Sequence, residues 1–444
     1  MFETLVNVAT GVSGYLGYAL ALAATWATYA VAGGLREKTA SLSRARAFDA
    51  PPSLHPVISP ALCIGCGACT HACPEGEIIG MIGGKAELID AASCIGHGAC
   101  KTSCPVSAID LVFGTAKRGV DIPQVSPDFQ SNVSGLYIAG ELGGMGLIAN
   151  AVEQGCQVID SIAKREGLDQ PSVLPDILDV VIVGSGPAGF AASLAAKEKQ
   201  LRAVTLEQNA LGGSVAHYPR GKLVMTRPAR LPLFGTFKAL RVSKEKLLDL
   251  WQSAHQKTGV QIRFGERVDR VTTKPWGFEV VTNLETYAAR TVVLATGRRG
   301  APRKLNVPGE GLSKVVYSLV DADQYRGRSV LVVGGGNSAI EAAVELGRQL
   351  GAQVTLSYRG KSFARVTPQN LTQLEEAEAK QRITVLRGTT VVAITADAVE
   401  LEGQVLGQRR QLPNEAVIVC AGGLLPMALL NQIGVEVETR FGTA

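Results

Sequence analysis

The chain has 444 residues, more than one compact hydrophobic core usually organises, so several domains are expected. Hydrophobic residues make up 46% of the chain and charged residues 19%, a balance that excludes a largely disordered protein. The formal net charge of +5, with no basic tract, gives no support for a nucleic-acid partner.

The amino-terminal stretch from Thr4 to Leu35 contains no charged residue and is long enough to cross a hydrocarbon core of about 30 Å. The start of the chain lacks the positive region of a cleaved signal peptide, so we predict a transmembrane anchor over residues 1–36. Basic residues follow from Arg36 onward. The positive-inside rule then predicts a single-pass protein of the inner (cytoplasmic) membrane with cytoplasmic catalytic domains. Residues 37–57 are predicted to be a linker.

Seven of the nine cysteines fall in two short runs of equal spacing, each followed by proline. The runs consist of Cys63, Cys66, Cys69 and Cys73, and of Cys94, His97, Cys100 and Cys104. This spacing fits zinc ligation poorly. The doubled run resembles the bacterial two-cluster ferredoxins and predicts an iron-sulfur domain over residues 58–112.

The ferredoxin resemblance implies that the fourth cysteine of each run ligates the cluster of the other run. Cluster one would then take Cys63, Cys66, Cys69 and Cys104, and cluster two would take Cys73, Cys94 and Cys100. We expect one [4Fe-4S] cluster and a second that is either [4Fe-4S] or [3Fe-4S]. His97 stands where the family has cysteine, and it either ligates an iron or fills a surface turn.

The stretch beginning at Asp179 reads as an apolar strand entering a glycine turn at residues 184–189, followed by an alanine-rich helix. A second strand starts at Ala203 and ends on Glu207. In a dinucleotide-binding unit, such glycines let the backbone approach a pyrophosphate at the helix amino terminus, and the acid accepts from a ribose hydroxyl. We predict this domain over residues 176–305.

The arrangement recurs at residues 330–342, where a second apolar strand enters the turn Gly334-Gly-Gly336. Its second strand, from Gln353 to Leu356, is followed by Arg359 rather than by an acid, with further basic residues, Lys361 and Arg365, nearby. Basic residues at this position neutralise a 2′-phosphate, so NADPH is predicted over NADH. This second domain is predicted over residues 306–420.

Two such units, with a strand ending in Ala-Thr-Gly at residue 297 between them, resemble the two-dinucleotide flavoproteins of the thioredoxin-reductase type over residues 176–444. The resemblance implies FAD in the first unit and the nicotinamide cofactor in the second. The implied FAD-binding residues are Gly184, Ser185, Gly186, Pro187, Ala188, Gly189, Glu207, Gln208, Gly213, Ala295, Thr296 and Gly297. The implied NADPH-binding residues are Gly334, Gly336, Asn337, Ser338, Tyr358, Arg359 and Arg365.

Members of this family usually carry a reactive cysteine pair, but residues 209–218 and 316–328 contain no cysteine. Cys156 and Cys420 stand alone in apolar surroundings and are predicted to be inert core thiols. The flavin is therefore expected to discharge its electrons to another group.

The family's last element is a strand ending in Gly-Asp with a helix after it, and no such strand follows Cys420. A similar strand, ending in Gly140-Glu141, instead precedes the first unit and is followed by a helical stretch starting at Leu147. We predict that residues 113–170 are this element moved by circular permutation, with residues 421–444 returning to the FAD domain. Phe-Gly-Thr-Ala occurs at both 113–116 and 441–444, the two places that the permutation would have joined. The implied FAD site then also includes Gly140, Glu141, Leu147 and Ile148.

These parts predict an α/β protein with two Rossmann-like domains, a small α+β ferredoxin-like domain and an N-terminal transmembrane helix. The predicted function is a membrane-anchored NAD(P)H-dependent FAD and iron-sulfur oxidoreductase with a membrane or cytochrome-type redox partner, and an oligomer is compatible with it. One alternative is a flavin-site reductase of a small disulfide or quinone, with basic residues holding an anion. These residues are Arg220, Lys222, Arg227 and Arg230. The other alternative is a non-catalytic relay subunit of a membrane complex.

Overall fold

The structure is a computed structural model that describes residues 22–28, 31, 34, 54–73, 76–91, 94, 96, 98–114, 119–144, 146–165, 176–224, 228–238, 242–298, 301–363, 366–403 and 408–442. The chain forms two compact units, which contain residues 56–111 and residues 112–443. We call them the ferredoxin unit and the flavoprotein unit, after the sequence motifs they contain.

The prediction of a transmembrane helix is wrong. Residues 22–28 are helical, with Leu22 and Trp26 largely exposed, and no helix of the described residues is long and apolar enough to cross a membrane. Apart from positions 31 and 34, the rest of the predicted anchor lies outside the described residues. The prediction depended on the absence of charge, but glycine, threonine and tyrosine interrupt the apolar residues, and hydropathy is the stricter criterion. The predicted single-pass location in the inner membrane is corrected with it.

The ferredoxin unit consists of short elements around the two cysteine runs. They are β1 (His55–Ile58), α1 (Ala68–Ala72), β2 (Ile79–Ile82), β3 (Lys85–Leu88), α2 (Ala99–Thr102) and β4 (Ile109–Val112). β1 pairs with β4, and β2 pairs antiparallel with β3. Gly83 and Gly84 form the two-residue turn between β2 and β3, and both have positive φ angles, 57° and 74°. This backbone is the one that a tight hairpin needs, and glycine adopts it without strain.

The first lobe of the flavoprotein unit contains residues 119–298 and 425–442. Its elements up to residue 298 are β5 (Val120–Pro123), β6 (Leu136–Ile138), α3 (Ile148–Ala163), β7 (Leu178–Val183), α4 (Pro187–Glu198), β8 (Ala203–Glu207), β9 (Leu223–Val224), β10 (Ala229–Leu231), β11 (Gly235–Phe237), β12 (Val242–Ser243), α5 (Lys244–Thr258), β13 (Ile262–Phe264), β14 (Val268–Lys274), β15 (Gly277–Thr282) and β16 (Thr286–Leu294). The main sheet has the order β13-β8-β7-β16-β15-β14.

The second lobe contains residues 303–422, and the chain from residue 425 onward belongs again to the first lobe. The elements that begin after residue 300 are β17 (Ala301–Pro302), β18 (Val315–Val316), β19 (Ser329–Val333), α6 (Asn337–Leu346), β20 (Gln353–Tyr358), α7 (Pro368–Ala379), β21 (Ile383–Arg387), β22 (Thr389–Ile394), β23 (Ala398–Gly403), β24 (Arg409–Pro413), β25 (Ala416–Val419), β26 (Gly423–Leu424), α8 (Met427–Ile433) and β27 (Val437–Arg440). The parallel sheet of this lobe has the order β18-β25-β19-β20-β21. β17 pairs with β26 where the chain enters and leaves the lobe.

The first-lobe sheet is covered by helices on both faces. Its central strand, β7, is accordingly apolar at each position from 180 to 183. Val180 and Ile182 of β7 pack with residues of α3 and α4, while Val181 and Val183 pack on the opposite face with residues of α8. A strand that is buried on both faces has this continuous apolar pattern. Gly155 of α3 lies so close to α4 that a Cβ atom there would collide with the Ala188 carbonyl.

β6 joins the sheet beside the end of β16. Leu136, Tyr137 and Ile138 pair in parallel with Val292, Val293 and Leu294, which also pair with β7. The residues that follow β6 and β16 therefore leave the sheet side by side. These are the two segments in which the sequence predicted parts of one FAD site.

The carboxyl-terminal strand of the described chain returns to the beginning of the flavoprotein unit. β27 pairs antiparallel with β5, from Val437 with Pro123 to Arg440 with Val120. Beyond the paired residues, Gly442 lies against the backbone of Gly114. The segments that contain the two Phe-Gly-Thr-Ala copies are therefore neighbours in space.

Candidate functional site

A cavity of 1640 Å³ lies within the flavoprotein unit. Single small-molecule sites usually have about 300–1,000 Å³, so this cavity is large for one ligand. The predicted residues that line it are Gly140, Glu141, Leu147, Ile148, Gly184, Gly186, Pro187, Ala188, Glu207, Gln208, Gly213, Ala295, Thr296, Gly297, Gly334, Gly336, Asn337, Ser338, Tyr358 and Arg359. Ser185 and Gly189 are not among the lining residues, and Arg365 lies outside the described residues.

The first glycine turn combines two kinds of glycine. A Cβ atom on Gly184, which has a φ of 101°, would lie 2.7 Å from the carbonyl oxygen of Ala295, and one on Gly189 would collide with the carbonyl of Gly184. A Cβ atom on Gly186 would meet no protein atom closer than 4.0 Å, the Cα of Gly213. Gly184 and Gly189 are thus required by protein packing, whereas Gly186 keeps space free in the cavity. A pyrophosphate at the start of α4 fits this free space.

Glu207 is the acid that ends β8, and it is buried against the first glycine turn. Its Oε2 atom accepts hydrogen bonds from the Ser185 backbone N–H at 2.8 Å and from the Ser185 hydroxyl at 3.0 Å. Its Oε1 atom accepts from the Asn209 backbone N–H at 2.9 Å. These bonds fix the carboxylate in the cavity wall, where further lone pairs can accept from a ribose hydroxyl.

The segments after β6 and β16 form the next part of the wall. The Ala139 backbone N–H donates to the Leu294 carbonyl at 3.1 Å, and a Cβ atom on Gly297 would lie 3.8 Å from Glu141 Oε2. Gly140 has a φ of 76° and its N–H donates to Gln154 Oε1 at 2.8 Å. Glu141 therefore sits beside the predicted Thr296-Gly297 segment, although the two are far apart in sequence.

Arg298 supports this part of the wall and was not predicted. Its Nη2 atom donates to the Asp121 carbonyl at 2.8 Å. Burial lowers the pKa of Arg298, and the negative charges of Glu141 and Asp121 partly oppose this effect. The guanidinium thus lies near enough to the Glu141 carboxylate for the two charges to attract each other. A basic residue directly after the Thr-Gly pair was the available signal in the sequence.

The second glycine turn also combines glycines that protein packing requires with one that leaves space free in the cavity. A Cβ atom on Gly334 would collide with the Cys420 carbonyl, and one on Gly335 would overlap the ring of Tyr358. Gly336 has no heavy atom within 4 Å of such a position, and α6 begins directly after it. The start of α6 is again open to the cavity, as a second dinucleotide phosphate requires.

The end of β20 presents an aromatic residue and a basic residue to the second turn. The Tyr358 ring stacks on Phe363 with centroids 5.0 Å apart and an interplanar angle of 15°. Arg359 is exposed and lines the cavity, while Lys361 is exposed on the same loop and does not line it. Arg359 is therefore the described basic residue that best fits an anionic group beside the second turn.

Two of the four basic residues that the sequence suggested as an anion site have acidic partners. Lys222 Nζ lies 2.9 Å from Glu341 Oε2, and Arg230 lies 3.8 Å from Glu198. Arg220 is exposed, and Arg227 lies outside the described residues. Glu341 is separated from Lys222 by more than one hundred residues, so no local pattern could have predicted the pair.

In the ferredoxin unit, glycines at matching positions of the two cysteine runs have nearly equal φ angles. Gly65 and Gly67 have φ angles of 74° and 71°, and Gly96 and Gly98 have 77° and 79°. Gly67 and Gly98 directly precede α1 and α2, whose second residues are Cys69 and Cys100. Matching glycine conformations in two runs of equal spacing are compatible with a pair of clusters. His97 and Pro74 lie outside the described residues.

The thiols of the two runs are close enough to influence each other. Burial raises the pKa of the Cys94 thiol to about 11, and the charges of Cys100 and Cys73 add to this effect. Burial also raises the pKa of Cys69, with contributions from Cys63, Cys100 and Cys66. The influence of Cys73 on Cys94 places these two thiols near each other, as the ferredoxin resemblance leads us to expect.

Hydrogen bonds favour the thiolate at one predicted ligand. The backbone N–H of Ala86 lowers the pKa of Cys63, the Gly65 N–H and the Lys85 charge act in the same direction, and burial opposes them. No disulfide joins any of the nine cysteines, all of which lie among the described residues, and no group of three or more described His, Cys, Asp or Glu side chains is arranged to hold a metal ion. Thiolates of an iron-sulfur cluster bind separate iron atoms rather than one ion, so cysteines in two runs of equal spacing suit clusters better than zinc.

Two adjoining dinucleotide cradles and a dicluster cysteine pattern define an FAD-dependent NAD(P)H oxidoreductase with a 4Fe-4S domain. Residues 181–442 match the family model described as pyridine nucleotide-disulphide oxidoreductase, and residues 55–105 match the 4Fe-4S dicluster domain. The chain belongs to the pyridine nucleotide-disulphide oxidoreductase family. The predicted flavoprotein and ferredoxin resemblances are thereby confirmed.

Individual relatives agree with this assignment. The chain is 32% identical over 258 residues to a thioredoxin reductase of Mycolicibacterium smegmatis, which covers 55% of this chain and 75% of that protein. It is 30% identical over 215 residues to a ferredoxin–NADP reductase of Pediococcus pentosaceus, which covers 47% of this chain and 61% of the relative. The solved structure of a bacillithiol disulfide reductase, Bdr, from Bacillus cereus is similar with a TM-score of 0.53 and 26% identity, over 59% of this chain and 82% of that one.

Proposed function

We propose that this oxidoreductase carries electrons from NADPH through FAD to two iron-sulfur clusters and from there to a separate redox protein. The observation that carries the proposal is the meeting of both glycine turns in the cavity of a chain whose cysteines outside the ferredoxin unit are the single residues Cys156 and Cys420. A dithiol relay beside the flavin is therefore missing from the sequence, and the ferredoxin unit is the electron acceptor that the same chain supplies.

The residues of the first lobe hold and orient the flavin cofactor in this proposal. The open position at Gly186 and the fixed carboxylate of Glu207 suit the pyrophosphate and ribose of FAD. Gly140 and Glu141 suit the ribityl side, in the role of the family's Gly-Asp. Bound FAD supplies the conversion between two-electron and one-electron transfer, which clusters need because they do not accept hydride.

The residues of the second lobe would bind NADPH. Gly336 leaves space for the pyrophosphate at the start of α6, with Asn337 and Ser338 in the same wall. Arg359 lies in the cavity wall with its side chain exposed, where a 2′-phosphate would be neutralised. The proposed selectivity for NADPH over NADH rests on this residue together with Arg365.

The proposed cluster ligands are those expected from the two runs. Cluster one takes Cys63, Cys66, Cys69 and Cys104, and cluster two takes Cys73, Cys94 and Cys100. The influence of Cys73 on the pKa of Cys94 supports the exchange of ligands between the runs. The second cluster is of the [4Fe-4S] type if His97 ligates it and of the [3Fe-4S] type if it does not.

The proposed domain organisation includes a circular permutation. The antiparallel pairing of β27 with β5 supports it, because it joins the segment of residues 119–165 to the end of the flavoprotein unit. The parallel pairing of β6 with β16 supports it as well, because it places the end of β6 beside the predicted FAD-binding segment that follows β16. The segment would then complete the FAD site from before the first unit rather than from after the second.

Anaerobic titration with NADPH, followed by absorbance and by electron paramagnetic resonance, tests this route. We expect the flavin absorbance to bleach first and signals of reduced clusters to grow afterwards. Bleaching without any cluster signal, even with excess NADPH, would contradict the proposed route while leaving flavin reduction intact.

A reductase of a small disulfide or quinone at the flavin is the second candidate, and the similarity to the Bdr structure favours it. Two of the four basic residues that would hold an anionic substrate have acidic partners instead. Turnover with bacillithiol disulfide or a quinone that persists in a cluster-free variant would favour this candidate over the cluster route.

A further inference from the structure

One ion pair joins the two lobes across the cavity. Lys222, which precedes β9 in the first lobe, places its Nζ atom 2.9 Å from Oε2 of Glu341, which belongs to α6 in the second lobe. The two side chains are 33% and 29% exposed, and both residues line the cavity that contains the two glycine turns. The pair therefore lies in the wall of the cavity in which the two proposed cofactor sites meet.

The carboxylate of Glu341 is held in place by the second lobe. Its Oε1 atom accepts a hydrogen bond from Asn370 Nδ2 at 3.1 Å, and the same amide donates to Asn337 Oδ1 at 3.1 Å. Asn337 Oδ1 also accepts from the Thr367 backbone N–H at 2.9 Å. Asn337 is the first residue of α6, so this network connects Glu341 to the second glycine turn.

The ammonium group of Lys222 is also placed before it meets its partner. Its Nζ atom lies 4.9 Å from the centroid of the Tyr218 ring, in a cation-π arrangement. Most exposed ion pairs contribute little because two long side chains lose rotamer freedom when they meet. Here both groups are positioned by neighbours in their own lobe and are about two-thirds buried. Their side chains therefore lose little further rotamer freedom when the ion pair forms.

The chain connection between the lobes does not by itself fix their relative position. It consists of the short pairing between β17 and β26, with the Arg303 backbone N–H donating to the Gly422 carbonyl at 3.0 Å. Two adjacent single strands allow rotation about their common axis. A contact away from this axis, such as the one between Lys222 and Glu341, limits the rotation.

We propose that Lys222 and Glu341 are positioning residues that hold the two lobes in the arrangement for hydride transfer. In that step a hydride with its two electrons leaves the dihydronicotinamide, which becomes NAD(P)⁺, and reduces the flavin. Lys222 and Glu341 exchange no proton in it. Transfer requires reacting atoms about 3–3.5 Å apart, and a displacement of about 1 Å can lower the rate a hundredfold. The inference rests on flavin reduction by NAD(P)H and is independent of the route to the clusters.

The proposal predicts that loss of the ion pair lowers the rate of flavin reduction but leaves the affinity for NADPH nearly unchanged. Glu341→Gln removes the charge but retains an oxygen that can accept from Asn370. We expect the limiting rate of flavin reduction at saturating NADPH to fall about tenfold, with the cofactor dissociation constant changed less than about twofold. Lys222→Met should have the same effect. The double variant with Lys222→Glu and Glu341→Lys restores opposite charges and should recover much of the rate.

Glu345→Gln is the matched control. Glu345 also belongs to α6 and pairs with Arg348 at 2.8 Å, but both residues are in the second lobe and more exposed. This variant should reduce its flavin at the wild-type rate. Melting temperature and FAD content, measured for every variant, separate a positioning effect from misfolding.

The experiment is anaerobic stopped-flow reduction with NADPH, together with hydrogen exchange at residues 301–303 and 422–424. The expected result is a lower limiting rate and faster exchange at these strands in Glu341→Gln and Lys222→Met, but not in Glu345→Gln. A wild-type or higher limiting rate in both single variants overturns the proposal, as does a charge-swapped protein that recovers neither rate nor protection. If a single variant fails to fold, the other single variant and the double variant decide the outcome.

Discussion

Gly442 lies directly against Gly114, so closely that a Cβ atom on Gly442 would overlap the Gly114 carbonyl. The two glycines occupy the same position in the two Phe-Gly-Thr-Ala copies of the chain. The end of β27 thus meets the chain just before β5, with which β27 pairs. Because the end of the chain lies beside the start of the segment, residues 119–165 could be attached at either place. The circular permutation can therefore be tested.

A rearranged variant tests the permutation. In this variant, residues 119–165 follow Gly442, and the ferredoxin unit, which ends at residue 114, is joined directly to residue 176. We expect FAD to bind to it at near-native content. The reason is that β5 pairs with β27, and β6 with β16, whichever end carries the segment. FAD content and thermal melting are the measurements. A chain that simply lacks residues 119–165 is the control and should lose FAD, and equal failure of both chains would contradict the permutation.

Two glycines of the first turn should fail in different ways when changed to alanine. Gly189→Ala places a methyl group on the Gly184 carbonyl, so we expect about 1–3 kcal/mol lower stability and poor FAD retention. Gly186→Ala meets no protein atom closer than 4.0 Å, so its melting temperature without FAD should be near that of the wild type, while FAD binds more weakly. Denaturant unfolding with and without FAD distinguishes them. Similar unfolding of both apoproteins would contradict the division into a packing glycine and a cavity glycine, and unchanged FAD binding by Gly186→Ala would show that the open position is unimportant.

Arg359→Gln tests the proposed selectivity. Because a charge-assisted bond to phosphate contributes about 1.5–3 kcal/mol, the KM for NADPH should rise about tenfold or more, and kinetics with NADH should barely change. Lys361→Gln is the control, since Lys361 is exposed on the same loop but does not line the cavity. Equal losses with both cofactors would remove Arg359 from 2′-phosphate recognition.

Cys69→Ser tests whether the clusters lie beyond the flavin in the electron route. Cys69 is buried in the ferredoxin unit and is a predicted ligand of cluster one. We expect loss of iron and of cluster resonance signals, with NADPH-dependent reduction of an artificial dye preserved. Cys156→Ser, in the flavoprotein unit, should keep its full iron content. Loss of flavin reduction in the Cys69 variant would show that the two functions are not separable in this way.

Local patterns predicted the parts of this protein that short segments encode. An apolar strand running into glycines, as at Val180 to Gly184, is a recognisable pattern because the turn needs a positive φ and a close carbonyl contact that a side chain at Gly184 would obstruct. The same holds for the cysteine runs, where Gly65 and Gly98 turn the backbone around the ligands. The absence of charge near the amino terminus was a weaker pattern, and the membrane helix predicted from it was wrong.

The sequence alone therefore determined the family, the two glycine turns and the ferredoxin motif, since each depends on residues within one short segment. Only the tertiary structure brought Glu141 beside Gly297, joined Arg298 to the Asp121 carbonyl, and paired Lys222 with Glu341. Those contacts connect residues distant in sequence, and they form only when parallel strands align their ends and two lobes pack together. Such pairings depend on the three-dimensional position of whole elements, which no local spacing of residues encodes.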